Sequence, residues 1–148
     1  LARLAELGIE LPPVTAPLAA YVPAVRSGDL VFTAGQLPLV AGALPQAGKV
    51  GATVSPEAAA GLARVAALNA LAAVHELVGL DAVRRVVKLV GYVASAPEFT
   101  GQPGVVNGAS ELLGDVFGDA GAHARSAVGV AALPLDAPVE IELVVELG

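Results

Sequence analysis

From Val139 to Leu147 the chain alternates. Val139, Ile141, Leu143, Val145 and Leu147 share one side, Glu140, Glu142 and Glu146 the other, with Val144 as the single apolar interruption. A period of two sustained over this length predicts a strand with one buried and one polar face. Residues 81–94 repeat the pattern more weakly, Val87, Leu89, Gly91 and Val93 against Val86, Lys88, Val90 and Tyr92. Asp29 to Thr33, introduced by the turn signal Ser27-Gly28, and the Val-rich run 124–133 complete the predicted strands.

Two segments carry helical signals instead. Ser55-Pro56-Glu57 supplies an N-cap hydroxyl, a proline suited to the first helical position and an acid at the positive end of the dipole. Ala-rich sequence then runs to Val78, with Gly79 as the left-handed stop. A second helix is predicted over 105–117, closed by Gly118, and Asn107-Gly108 is compatible with a turn at its start. Residues 1–20 read as a leader: an amphipathic piece ending at Gly8, then Leu11-Pro12-Pro13 and Pro17. Residues 21–148 then form one domain of order β(β)αβαββ. Two helices on one face of a sheet make an α+β layer sandwich, and an apolar open face would bury itself against copies of the same chain.

Composition sharpens this. The chain has 148 residues, 55% of them hydrophobic and only 3% aromatic, so Ala, Val and Leu must build the core. A mean hydropathy of +0.73 is high for a monomer and favours a homo-oligomer. A membrane span is not expected from the longest charge-free window: residues 30–48 contain Pro38, Pro45, Gln36, Gln46 and three glycines. The N-terminus has Arg3, Glu6 and Glu10 and no signal-peptide layout, so a cytoplasmic location is the expectation. The chain begins at Leu1 and holds no Met, so the native start is expected to have been removed or to lie upstream. Absence of Cys excludes disulfides and thiolate chemistry, and a net charge of −6 argues against nucleic-acid binding.

Candidate chemistry concentrates near the C-terminus. Arg125 is the only Lys or Arg after Lys88, and it precedes an apolar strand. A guanidinium there needs an anion, either one of the chain's own carboxylates or the carboxylate or phosphate of a ligand. Glu140 and Glu142 share a strand face; they form either a solvated surface or, with Arg125, a proton-handling cleft. His123, two residues from Arg125, is either a loop cap or a titrating neighbour of a site, and His75 reads as a helix-surface residue. The two histidines lack metal-ligand spacing, so no metal site is expected. No Gly-x-Ser-x-Gly elbow or phosphate-binding glycine motif is present.

The tail resembles the signature of the RidA (YjgF) family: Ala124-Arg125-Ser126, then Leu133-Pro134, then Val139-Glu140-Ile141-Glu142. Tyr21 and the run from Gly28 to Pro38, with Ala34-Gly35-Gln36-Leu37-Pro38, are similar to that family's first strand and its Ser-Gly-Gln-Ile-Pro-type loop. The resemblance spans residues 20–148. It implies a chorismate-mutase-like α+β fold assembled as a homotrimer, with clefts between subunits. It further implies cofactor-free hydrolysis of reactive 2-enamine and 2-imine acids, such as 2-aminoacrylate, to 2-keto acids and ammonia. In that reading Arg125 holds the substrate carboxylate and Glu140 positions water or moves a proton, while Tyr21, Gly35, Asn107 and the backbone of Ala127 line the cleft. Arg125 and Glu140 are then expected to hydrogen-bond in the empty cleft, directly or through water. Ala34, Ala127 and His123 stand where relatives often have Ser, Cys and Pro.

An imine carbon is already electrophilic, so such a reaction needs orientation and proton handling rather than a metal or a covalent nucleophile. The alternative is a trimeric binding protein that uses Arg125 to hold small carboxylates without turnover. A third reading, endoribonuclease, suits an acidic chain with few aromatics poorly. The expected partners are thus a small carboxylate substrate and further copies of the chain, not nucleic acid or membrane. One geometric expectation follows from the tail. A simple hairpin at Asp136 would set Arg125 against Glu146, so a strand is expected to lie between the last two if Arg125 is to approach Glu140.

Overall fold

The computed structural model describes residues 1–14, 17 and 20–148; Thr15, Ala16, Leu18 and Ala19, all in the segment read as a leader, lie outside the described residues. A short helix α1 (Ala2–Glu6) opens the chain, with Leu4 buried in the main core. Strands β1 (Ala24–Ser27) and β2 (Leu30–Thr33) form an antiparallel pair across Gly28-Asp29.

Helix α2 (Pro56–Val78) starts and stops where its caps predict: the Ser55 side chain accepts from the Ala58 N–H, and Gly79 sits at φ 80°. Length and composition alone would let α2 cross a membrane, but 61% of its apolar window is buried inside the fold, which makes it the core helix. Ala59, Ala63, Ala66, Ala70 and Ala73 are buried along it, small enough to bring the helix close to the sheet.

Strand β3 (Val83–Ala94) follows, then α3 (Gln102–Phe117). The second helix begins one turn earlier than residue 105, because Pro103 occupies its first turn, where a missing N–H costs no intrahelical bond. Asn107-Gly108 is not a turn but lies inside α3. A Cβ on Gly108 would stand 1.9 Å from the Ala60 carbonyl oxygen, so glycine is what permits α2 and α3 to touch. Strands β4 (Ala124–Val130) and β5 (Val139–Leu147) end the chain.

The sheet order is β1-β2-β5-β3-β4, with β3 and β4 parallel and every other pair antiparallel. Both helices serve as crossovers. The β3–α3–β4 unit puts β4 parallel at the edge, and the β2–α2–β3 unit leaves a gap that β5 fills. A strand therefore does separate the last two. The helix-side positions of β5 (139, 141, 143, 145 and 147) are buried, as the alternation predicts. Among the described residues no helix covers the opposite sheet face, which carries half-exposed Val25, Phe32 and Val128.

Candidate functional site

Glu140 is placed by a break in the β2–β5 ladder. After Phe32–Val144 the backbones part, and the Thr33 hydroxyl accepts from the Leu143 N–H at 3.0 Å in place of a carbonyl. Pairing resumes where Gln36 and Ile141, four residues past Phe32 and three before Val144, exchange both backbone hydrogen bonds. Ala34-Gly35 bows out between these points, beside Glu140 on the open face. A Cβ on Gly35 would fall 2.8 Å from the Glu140 carboxyl carbon, so the loop backbone rests directly on the carboxylate. The next part of the loop is tied down from below: the buried Asn69 amide of α2 donates to the Leu37 and Leu39 carbonyls, both at 3.0 Å.

Burial raises the Glu140 pKa, and the neighbouring Glu142 charge adds to the effect. Tyr92, directly opposite Glu140 in the β3–β5 register, donates its hydroxyl to Glu142 at 2.5 Å. That hydrogen bond, burial and the two carboxylates push the phenol up to about 12. The phenol thus stays a donor, and Glu140 is the carboxyl of the pair with no side-chain donor on it among the described residues.

Arg125 belongs to a different surface. It pairs with Leu89 on β3, which in turn faces Leu143, so its side chain leaves the sheet on the helix side. At this edge it meets α3. Nη1 donates to Asn107 Oδ1 at 2.7 Å and to Ser110 Oγ at 3.2 Å, and Nη2 donates to the Pro103 carbonyl at 3.4 Å. Positions 103, 107 and 110 recur at helical spacing, which explains why one side of α3 serves a single guanidinium. No carboxylate lies within ion-pair distance of Arg125 among the described residues. Ala127, two residues along the same strand face, packs partly against the core.

Residues read together from the sequence therefore fall into two groups within one chain. Arg125, Asn107 and Ala127 lie on the helix side at the β4 edge. Glu140 and Gly35 lie on the open face, and the Pro23 carbonyl, accepting from Ala34 N–H at 2.8 Å, brings the half-exposed Tyr21 segment alongside the same loop. By register, Arg125 and Glu140 are two strands apart, three residues offset and on opposite faces. Two strand spacings and three residue rises put their Cα atoms about 14 Å apart. The expected Arg125–Glu140 hydrogen bond, direct or through water, is thus not made within one chain; the intervening β3 and the alternation of side-chain direction prevent it.

Asn69, Tyr92 and Ser110 escaped the sequence reading. Asn69 was detectable as a polar residue on an alanine stripe, and Ser110 as a position three residues after Asn107. Tyr92 offered no comparable signal. His75 does more than decorate a surface, since its Nδ1 accepts from Leu80 N–H at 3.1 Å and closes the turn after α2. No cluster of three metal-ligating side chains occurs among the described residues.

Comparison with known proteins agrees with this architecture. Residues 1–147 match the family described as "YjgF/chorismate mutase-like, putative endoribonuclease". Protein TCP17 of Trypanosoma cruzi is 45% identical over 99% of this chain and 92% of its own length. The crystal structure of Atu1372, a protein of unknown function from Agrobacterium tumefaciens, superposes with a TM-score of 0.91 at 46% identity, covering 99% of this chain and 91% of that one. A structure from Shewanella oneidensis described as a putative endoribonuclease gives a TM-score of 0.95 at 33% identity, covering 99% and 97%. With a family match across nearly its whole length and a fold to suit, this chain belongs to the YjgF/chorismate-mutase-like family.

Proposed function

We propose that the chain is a homotrimeric deaminase that hydrolyses 2-enamine and 2-imine acids to 2-keto acids and ammonia. Its clefts lie between copies, with Arg125 from one copy and Glu140 from the next. The observation that carries this reading is an Arg125 held in place by three neutral oxygens and balanced by no carboxylate of the described chain. A half-buried guanidinium braced without an anion is suited to gripping the carboxylate of a substrate. The open sheet face, with Val25, Phe32 and Val128 half-exposed, supports association of copies.

In the reaction, Arg125 orients the substrate by its carboxylate. Glu140 accepts a proton from water as the water oxygen bonds to C2 of the imine. The same carboxyl returns that proton to the nitrogen, giving a carbinolamine. It then takes the remaining hydroxyl proton as the carbonyl forms and passes it to the nitrogen as the C2–N bond breaks, so that one imine and one water leave as one keto acid and one ammonia. A carboxyl whose pKa is raised by burial holds that proton closer to neutral pH than an exposed one. The endoribonuclease in the family description fits less well, because a chain of net charge −6 offers little basic surface for a polyanion.

The test generates 2-aminoacrylate with a pyridoxal-phosphate enzyme acting on cysteine or serine and follows keto-acid release. Acceleration by the wild type that is lost in Arg125→Ala supports deamination. Saturable keto-acid binding without acceleration supports the carboxylate-binding alternative.

A further inference from the structure

We propose that His123 and Ser110 are positioning residues for Arg125: a one-way hydrogen-bond chain anchored on the Gly121 carbonyl holds the guanidinium with one edge free for an incoming carboxylate. The proposal deepens the reading of Arg125 as the carboxylate anchor and rests on it.

The direction of the chain follows from its first link. His123 Nδ1 lies 2.6 Å from the Gly121 carbonyl oxygen, which can only accept, so Nδ1 carries the proton. In the neutral ring Nε2 is then an acceptor, and Ser110 Oγ, 2.9 Å away, must donate its hydrogen to it. Only lone pairs of Oγ remain to face Arg125, and one of them accepts from Nη1 at 3.2 Å.

Asn107 Oδ1 takes the other Nη1 hydrogen at 2.7 Å, so both hydrogens of that nitrogen are committed to fixed acceptors. The Pro103 carbonyl takes one from Nη2. Nε–H and one Nη2–H have no partner among the described residues, and Nε and Nη2 together form one edge of the guanidinium. Two parallel N–H groups on one edge match the two oxygens of a carboxylate. Without His123, the Ser110 hydroxyl would be free to rotate, and its lone pair would no longer be aimed at Arg125.

The chain draws its members from three places: the 3-10 turn Gly118–Gly121, the residue before β4, and α3. It thereby couples the α3 end of the brace to the start of the strand that carries Arg125. The geometry makes His123 more than a loop cap.

The test measures pyruvate affinity, together with the nitrogen-15 spectrum of the ligand-free protein. Ser110→Ala and His123→Asn, which lack the acceptor and the Nε2 link respectively, should each weaken pyruvate binding about tenfold, as expected for one charge-assisted hydrogen bond. The double variant should be no weaker than either alone. His123→Gln, whose amide oxygen can stand in for Nε2, should bind nearly as well as the wild type.

In the free protein His123 should show the Nδ1–H tautomer, and the Arg125 Nε–H should be ordered in the wild type but mobile in Ser110→Ala. Additive losses, unchanged affinity in Ser110→Ala, an Nε2–H tautomer or an Arg125 equally ordered in both proteins would overturn the relay. Failure of the wild type to bind pyruvate would instead strike the proposed function, with the tautomer and Arg125 order still deciding the relay.

Discussion

Arg125 and Glu140 project from opposite faces of one sheet, with β3 between the strands that carry them. A single chain cannot bring them to one small molecule. If both act on the same substrate, each cleft must borrow from two copies, and the requirement can be tested by mixing defects.

Arg125→Ala and Glu140→Gln should each abolish deamination as pure proteins. Co-refolded in equal amounts, they should regain activity, because some clefts receive a wild-type Arg125 from one copy and a wild-type Glu140 from its neighbour. For random trimers about one cleft in four is intact. Keto-acid release near a quarter of the wild-type rate is the expected outcome, and no recovery would overturn a cleft shared between copies.

Gly35 touches the carboxylate rather than the core, so Gly35→Ala should separate chemistry from stability. The added methyl would meet the Glu140 carboxyl carbon at 2.8 Å, and that flexible side chain can swing aside. The melting temperature should change by only about 2–4 °C, while kcat falls at least roughly tenfold, the effect of misplacing a proton carrier. Thermal unfolding and single-turnover assays of the same preparation check the split.

The titration of Glu140 has a definite sign. Its pKa in the fold is raised from 4.5, so the native chain binds this proton more tightly than the unfolded one. The associated stability is complete below 4.5 and is lost as pH rises through the raised value. Glu140→Gln cannot ionise. It should therefore melt above the wild type at pH 7, with the gap closing as the pH approaches 4, in parallel calorimetric scans.

Asn69 is the structural weak point of the Glu140 side. Asn69→Leu strands the Leu37 and Leu39 carbonyls that its amide now satisfies. Two lost hydrogen bonds at a buried site should cost about 2–4 kcal/mol in urea unfolding. Hydrogen exchange at Leu39 to Val40 should accelerate more than at β3, locating the loosening in the loop.

Periodic signals were legible because burial imposes them locally. The β5 alternation marks its buried positions one by one, and Ser55, Pro56 and Gly79 mark the bounds of α2 through the chemistry of helix ends. The start of α3 at Gln102 rather than 105 is not marked locally, since a proline inside the first turn and a proline that breaks a helix look alike in one dimension. Asn107-Gly108, compatible with a turn in the sequence, lies inside α3 for a related reason. Whether a glycine marks a turn or a helix contact depends on Ala60, nearly fifty positions away.

The amino-acid order alone settled which side of each strand is apolar, where the long helix caps lie and which charged groups are scarce enough to matter, because each of these depends on neighbours within a few positions. Folding in three dimensions settled who stands beside whom. Inserting β5 between β2 and β3 and sending β4 to the edge puts Arg125 with α3 and Glu140 with the Gly35 loop. Strand order and side-chain direction across a sheet arise from contacts between residues far apart in the chain, and no local pattern records them.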